Sequence, residues 1–212
     1  ACRAASGQPP HRAADREELP MIDRLCELYA ATDTATREHG RDWYRLSERD
    51  VRRIARELPR GLGQSAAAAI FAALSPRQQY VSNWRGAYAV AVARSAGAAE
   101  PPATGLGDAR RKAWRIAHGE RPDAVLGGDK VRNFWRALAG DPDAVVLDVW
   151  MCRALGIDQE KLTPILYAEL SDAFRAAAKL CGESARDLQA ILWFHVRGMK
   201  PGDPTPGKFR PA

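Results

Sequence analysis

The sequence predicts an all-α fold made of two helical lobes, on three observations. Apolar residues recur at helical spacing along nearly the whole chain. No alternating apolar/polar stretch runs for more than a few residues. A Gly/Pro/Ala-rich segment interrupts the pattern at 96–106. Hydrophobic residues make up 46% of the 212, enough for a sizeable buried core and inconsistent with disorder throughout.

The first helix is expected over 18–31, where Leu19, Ile22, Leu25, Cys26 and Leu28 form a stripe. A second is expected over 47–58. Ser47 with Asp50 three positions on is a variant of the capping box, Val51, Ile54, Ala55 and Leu58 make the apolar face, and Pro59 and Gly61 end it. The run QSAAAAIFAAL at 64–74 is apolar almost all round, the pattern of a central helix buried on most sides. Ser75 and Pro76 stop it and start another helix over about 77–95. Further helices are predicted over 107–118, 129–139, 145–155, 163–180 and 184–197, with turns at Arg121–Pro122 and Gly140–Pro142 and a stop at Gly156.

This gives about nine helices arranged as a flexible N-terminus (1–16), a first lobe (17–95), a linker (96–106), a second lobe (107–200) and an extended tail (201–212). The terminal helices are also able to pack against the first lobe.

Lys and Arg outnumber Asp and Glu by 32 to 26, a net charge of +6 that favours polyanionic partners. The four cysteines form no CxxC pair, and no His lies at zinc-finger spacing from them, so neither a zinc site nor an iron–sulfur cluster is expected. Unframed cysteines fit buried thiols in a reducing cytosol. No apolar run is long enough to cross a membrane, and the first residues lack the apolar core of a signal peptide. The expectation is a cytoplasmic monomer without a cofactor.

The stretch that carries chemistry is VLGGDKVRNFWRALAGDPDAVVLDVWMCRALG, 125–156. Gly127 and Gly128 allow a tight turn, and the helix after it begins near Asp129, where free N–H groups and the dipole suit a phosphate. Lys130 stands in the first turn of that helix, where the dipole disfavours a cation and so favours the neutral amine that acts as a nucleophile. Asp148 sits inside an apolar run, where a carboxylate is costly unless it is paired, caps a helix or does chemistry. As the residue before VWMCRAL it is also placed to cap that helix.

These residues resemble the helix-hairpin-helix DNA glycosylase superfamily, most closely its 8-oxoguanine glycosylase branch. Gly128-Asp129-Lys130 is similar to the family's Gly-x-Lys at a helix start. Ala144 to Val149 is similar to the segment that supplies its essential aspartate, with Lys130 and Asp148 eighteen positions apart. The resemblance implies a two-lobed helix-hairpin-helix glycosylase-like fold, a lysine that attacks the sugar C1′, an assisting aspartate, and duplex DNA with its target base flipped between the lobes. It extends to AIFAALSPRQQYVSNW, where Arg77 and Gln78 take the place of the residues that fill the gap left by the flipped base.

The sequence departs from the family at Leu126, which stands where the hairpin's first glycine is usual, and at Trp150, where many members have His. Trp150, Trp193 and His195 are candidates for the base pocket, and Trp84, Tyr88, Trp135 and Phe194 are further aromatics available to one. The function expected is therefore a DNA glycosylase with AP-lyase activity acting on a damaged or modified base. Two alternatives stand beside it. One is a base-processing enzyme on the same scaffold acting on unusual, hypermodified viral DNA. The other is a non-catalytic helix-hairpin-helix DNA-binding protein.

Overall fold

In the computed structural model, which describes residues 21–199, the chain is all α: ten α-helices and one 3₁₀ turn, with no strand among the described residues. Among those residues no helix is long and apolar enough to cross a membrane. The expectations for 1–16 and 201–212 lie outside the described residues.

After α1 (Met21–Ala31), α2 runs over Thr34–Glu57, far longer than the 47–58 predicted. Its true cap is Asp33, which accepts from the Thr36 N–H at 2.9 Å and the Thr36 hydroxyl at 2.7 Å. These two bonds hold the Asp33 carboxyl below the usual carboxylate range. Ser47 is not a cap but a buried mid-helix residue. The buried stripe of α2 is Thr36, Gly40, Tyr44, Ser47, Val51 and Ile54, spaced by three or four positions. Three of its members are small or polar, which hides the first half of the helix from a search for apolar periodicity. At Gly40 the helix lies against α10 so closely that a Cβ would sit 2.5 Å from the Ile191 Cα.

α3 (Gly63–Leu74) is the central helix its composition predicted, with every residue from Ala66 to Leu74 buried. Its alanines let α2, α4 (Tyr80–Ser95), α5 (Gly107–Ala117) and α7 (Asp129–Leu138) all pack on it. The helix predicted from residue 77 starts three residues later, because 75–79 is a loop in which Arg77 adopts a φ of 58°. The segment 96–106 does not divide the molecule. A Cβ added at Gly86 of α4 would overlap the Thr104 hydroxyl, and Gly105, with φ +60°, comes against Leu74. The segment is folded down on α3 and α4, and α5 beyond it joins the same core.

A single-turn helix, α6 (Pro122–Val125), occupies the expected turn and leads through Leu126, Gly127 and Gly128 into α7. α8 (Val149–Ala154) is shorter than predicted, since 144–148 is not helical. The 3₁₀ turn 159–161, α9 (Pro164–Cys181) and α10 (Ala185–Arg197) complete the chain. Gly182 and Gly198 end the last two in the left-handed conformation that glycine adopts without strain.

Two apolar cores result, divided differently from the predicted lobes. One gathers the second half of α2 with α3 to α7, centred on Phe71, Trp84 and Ile116. The other gathers α1, α8, α9 and α10 around Leu25, Phe174 and Leu192. α2 spans both, its first half on α10 and its second half on α3. Tyr44, Ala137, Ala144, Val146 and Ala190 form a small junction between them, with Trp43 and Phe134 packed on it. Cys152 is a buried thiol, as expected of an unframed cysteine. Cys26 and Cys181, however, come to 3.9 Å between their sulfurs where α1 meets α9.

Candidate active site

Asp148 is placed by the irregular segment before it. Ala144, Val145, Val146 and Leu147 are all buried, so their backbone groups need partners that no helix or sheet supplies. Tyr167 of α9 provides two of them, its hydroxyl donating to the Val145 carbonyl at 2.8 Å and accepting from the Leu147 N–H at 3.2 Å. Burial pushes the Tyr167 phenol up to about 12, against the pull of the Leu147 N–H and with the added push of the Asp129 charge.

The half-buried Asp148 carboxylate is then held by three donors. One oxygen accepts the N–H groups of Trp150 and Met151, each at 3.0 Å, and caps α8. The other accepts the Trp193 indole N–H of α10 at 2.8 Å. Capping and a further role coexist at this residue, because the cap uses one oxygen only.

Lys130 is exposed in the first turn of α7 and has no carboxylate partner among the described residues. Gly128 precedes it with φ 75°, a conformation that needs glycine, and nothing lies near enough to meet a Cβ at Gly127 or Gly128. Asp129, half-buried, is the first residue of α7, and its carbonyl accepts from the Asn133 side chain at 3.0 Å. Cys152, four residues after Asp148 in α8, is buried. Burial raises the Cys152 thiol pKa, Asp148 raises it further, and Lys130 lowers it. Lys130 and Asp148 form no salt bridge with each other among the described residues.

Arg77 and Gln78 are exposed at the tip of the loop between α3 and α4. The loop borders the glycine turn: Pro76 and Gly127 line one small concavity of about 130 Å³, with Leu106, Asp108 and Lys112 of the α5 start on its far side. Trp150 lies beneath two guanidinium groups, Arg153 at 5.2 Å and Arg197 at 5.4 Å from its ring centre, and Arg197 also covers Trp193 at 4.4 Å. His195 is half-buried on α10, but two residues from Trp193 is about 200° around a helix, so it is not brought to the carboxylate. Of the other aromatics, Trp84 and Phe194 are core. Trp84 stacks on Tyr88, and Trp135 donates to Ser65.

The sequence reading missed the aromatic residues at the junction of the cores. Trp43 stands with its ring centre 5.8 Å from Tyr80, 6.2 Å from Phe134 and 6.3 Å from Trp193. Beneath it is a buried polar group. Asp50, fully buried, accepts from the Tyr80 hydroxyl at 3.1 Å and from Arg53 at 3.3 Å. Burial and the Asp50 charge hold the Tyr80 phenol well above its ordinary range. Tyr44, also buried, donates to Gln189 at 3.1 Å. The signal available was the helical spacing of Trp43, Ser47 and Asp50 along one face of α2, legible only once the helix is known to begin at Thr34.

Trp193 joins the Asp148 carboxylate to the aromatic cluster at the junction of the cores, while the glycine turn before α7 lies against Pro76, Leu106 and Lys112 on the first core. Residues 8–200 match DUF7178, a family of unknown function, and the chain belongs to that family. No curated protein and no solved structure matches it.

Proposed function

We propose that the chain is a DNA glycosylase with AP-lyase activity that excises a damaged or modified base from double-stranded DNA, acting as a monomer. One observation carries this reading. Three donors fix the Asp148 carboxylate and none of them is a cation, while the exposed Lys130 amine has no carboxylate partner among the described residues. The cap uses one Asp148 oxygen and leaves its charge without a cation, so the carboxylate and the amine are both left to act on a third molecule.

The chemistry follows from the groups present. As the glycosidic bond breaks, its electrons leave with the base, which takes up a proton. Positive charge then grows on the sugar, where the Asp148 carboxylate stabilises it. The Lys130 nitrogen bonds to C1′ and gives up a proton. The sugar ring opens with its oxygen taking a proton, leaving a Schiff base. Loss of a C2′ proton then expels the 3′ phosphate, and water releases the lysine. Reaching C1′ in a duplex requires flipping the base. In this reading Arg77 and Gln78 fill the gap and the junction aromatics, Trp43 and Trp193 among them, receive the ring.

The test is borohydride trapping on abasic and lesion-bearing duplexes. A covalent adduct is expected with the wild type and none with Lys130→Gln, which retains duplex binding. An adduct that survives Lys130→Gln overturns the assignment. Duplex binding by the wild type with no adduct on any substrate makes the chain a DNA-binding protein without this chemistry.

A further inference from the structure

We propose that the solvent face of α2 is a second DNA contact, an arginine stripe that follows the phosphate backbone of one strand beside the candidate active site. The inference rests on the reading of the chain as DNA-directed, though not on its glycosylase chemistry. Arg49, Arg52, Arg53 and Arg56 follow one another at helical spacing and line a shallow concavity of about 410 Å³.

A basic helical face is ordinarily offset by acids on the same stretch. Here that offset is incomplete. Glu48 accepts from Arg186 of α10 at 2.5 Å, Asp50 is buried and shared between Tyr80 and Arg53, and Glu57 faces the Tyr88 hydroxyl. Arg52 keeps a 3.6 Å contact to the second Glu48 oxygen, while Arg49 and Arg56 have no carboxylate partner among the described residues. The Arg49 and Arg56 guanidinium groups are exposed, and their planar donor geometry matches phosphate oxygens.

Position and spacing favour nucleic acid as the occupant. From Arg49 to Arg56 the helix rises about 10 Å, a length over which one strand of B-form DNA carries about three phosphates. Arg53 is tied through Asp50 to Tyr80, which directly follows the loop bearing Arg77 and Gln78. Trp43, on the same helix, reaches the aromatic cluster. In this proposal a duplex seated on that loop runs its flanking backbone past the stripe.

The test compares the wild type, the double variant Arg49→Gln/Arg56→Gln, and a charge-matched control, Lys161→Gln/Lys179→Gln, on the other core. Affinity for an undamaged duplex is read by fluorescence anisotropy over a salt series. Each lost phosphate contact removes about 0.9 from the slope of log affinity against log salt. The stripe variant is therefore expected to lose about 2 from the slope. Between 50 and 200 mM salt, values chosen for the series, the wild type should then lose about 10-fold more affinity than the variant. The control is expected to keep the wild-type slope, and borohydride trapping at saturating DNA is expected to persist in the stripe variant.

An unchanged slope, an equal change in the control, or no duplex binding by the wild type overturns the stripe, and the first two leave Lys130-dependent trapping standing. A slope that falls only in the stripe variant, with no trapping in the wild type, supports the stripe and removes the glycosylase reading instead.

Discussion

Replacing Asp148 by asparagine separates the structural from the chemical work of this residue. Asparagine caps a helix about as well as aspartate, so the bonds from the Trp150 and Met151 N–H groups survive on one oxygen. The other oxygen becomes an NH2 group facing the Trp193 indole N–H, donor against donor, where a 2.8 Å bond had been. Losing one hydrogen bond to a charged group costs about 1.5–3 kcal/mol, and half-burial of the site argues for the lower end. In a chain of this size about 2 kcal/mol lowers Tm by about 4–8 °C.

Trp193→Phe removes the same bond from the other side. The double variant Asp148→Asn/Trp193→Phe should therefore be no less stable than Asp148→Asn alone, with a coupling energy of about 1–2 kcal/mol. Urea unfolding of the four proteins measures it. Base release from a lesion-bearing duplex should fall about 100- to 1,000-fold in Asp148→Asn, which far exceeds what the stability loss explains while the protein stays folded. Additive single effects would show that the indole and the carboxylate do not bond in solution. A clear coupling with an unchanged base-release rate would leave Asp148 a cap and nothing more.

Two further outcomes are expected. Gly86→Ala should destabilise by about 1–3 kcal/mol, and adding Thr104→Ala should recover part of that, because the Thr104 hydroxyl occupies the space the new Cβ needs. If 96–106 were a free linker, thermal unfolding would detect neither change. At alkaline pH, Tyr44, Tyr80 and Tyr167 resist ionisation because burial raises each above the ordinary value of 10.0. Their contribution to stability is complete below pH 10.0 and is lost as pH rises through that value towards the Tyr167 value of about 12. Phenolate absorbance from these residues should therefore appear in one step with the loss of helical circular dichroism, and its gradual rise in a fully helical protein would contradict their burial.

What the sequence made legible was whatever side-chain pattern alone dictates. The unbroken apolar run of α3, the glycine turn before α7 and the Asp148 cap all follow from local rules. What it concealed depends on partners distant in the chain. α2 was half missed because Thr36, Gly40, Tyr44 and Ser47 pack a small or polar face against α10, and apolar periodicity does not register such a face. The 96–106 segment reads as a linker by composition, yet Gly86 opens a place for Thr104 and Gly105 lets the chain turn onto Leu74. The segment 144–148 has the composition of a helix start. Its backbone is satisfied instead by the Tyr167 hydroxyl, some twenty residues on. The Trp43–Tyr80–Phe134 grouping brings together three separate helices, so no local pattern announces it.

The contact at Gly40 bears on how the molecule can move. With no side chain on Gly40, the α2 backbone lies directly on the backbone and side chain of Ile191 in α10, so neither helix can move closer to the other and any relative motion there reduces to a tilt about the crossing point. The lever arms of that tilt are unequal. Trp193, which holds Asp148, is about 3 Å along α10 from the pivot, while Arg49 to Arg56 lie about 14–24 Å along α2. The arginine-bearing half is itself clamped on α3 through the buried Val51 and Ile54, so rocking about the crossing is opposed. One residue without a side chain thus lets a single helix be held by two cores at once, with the indole that bonds Asp148 a short step from one of the holding points.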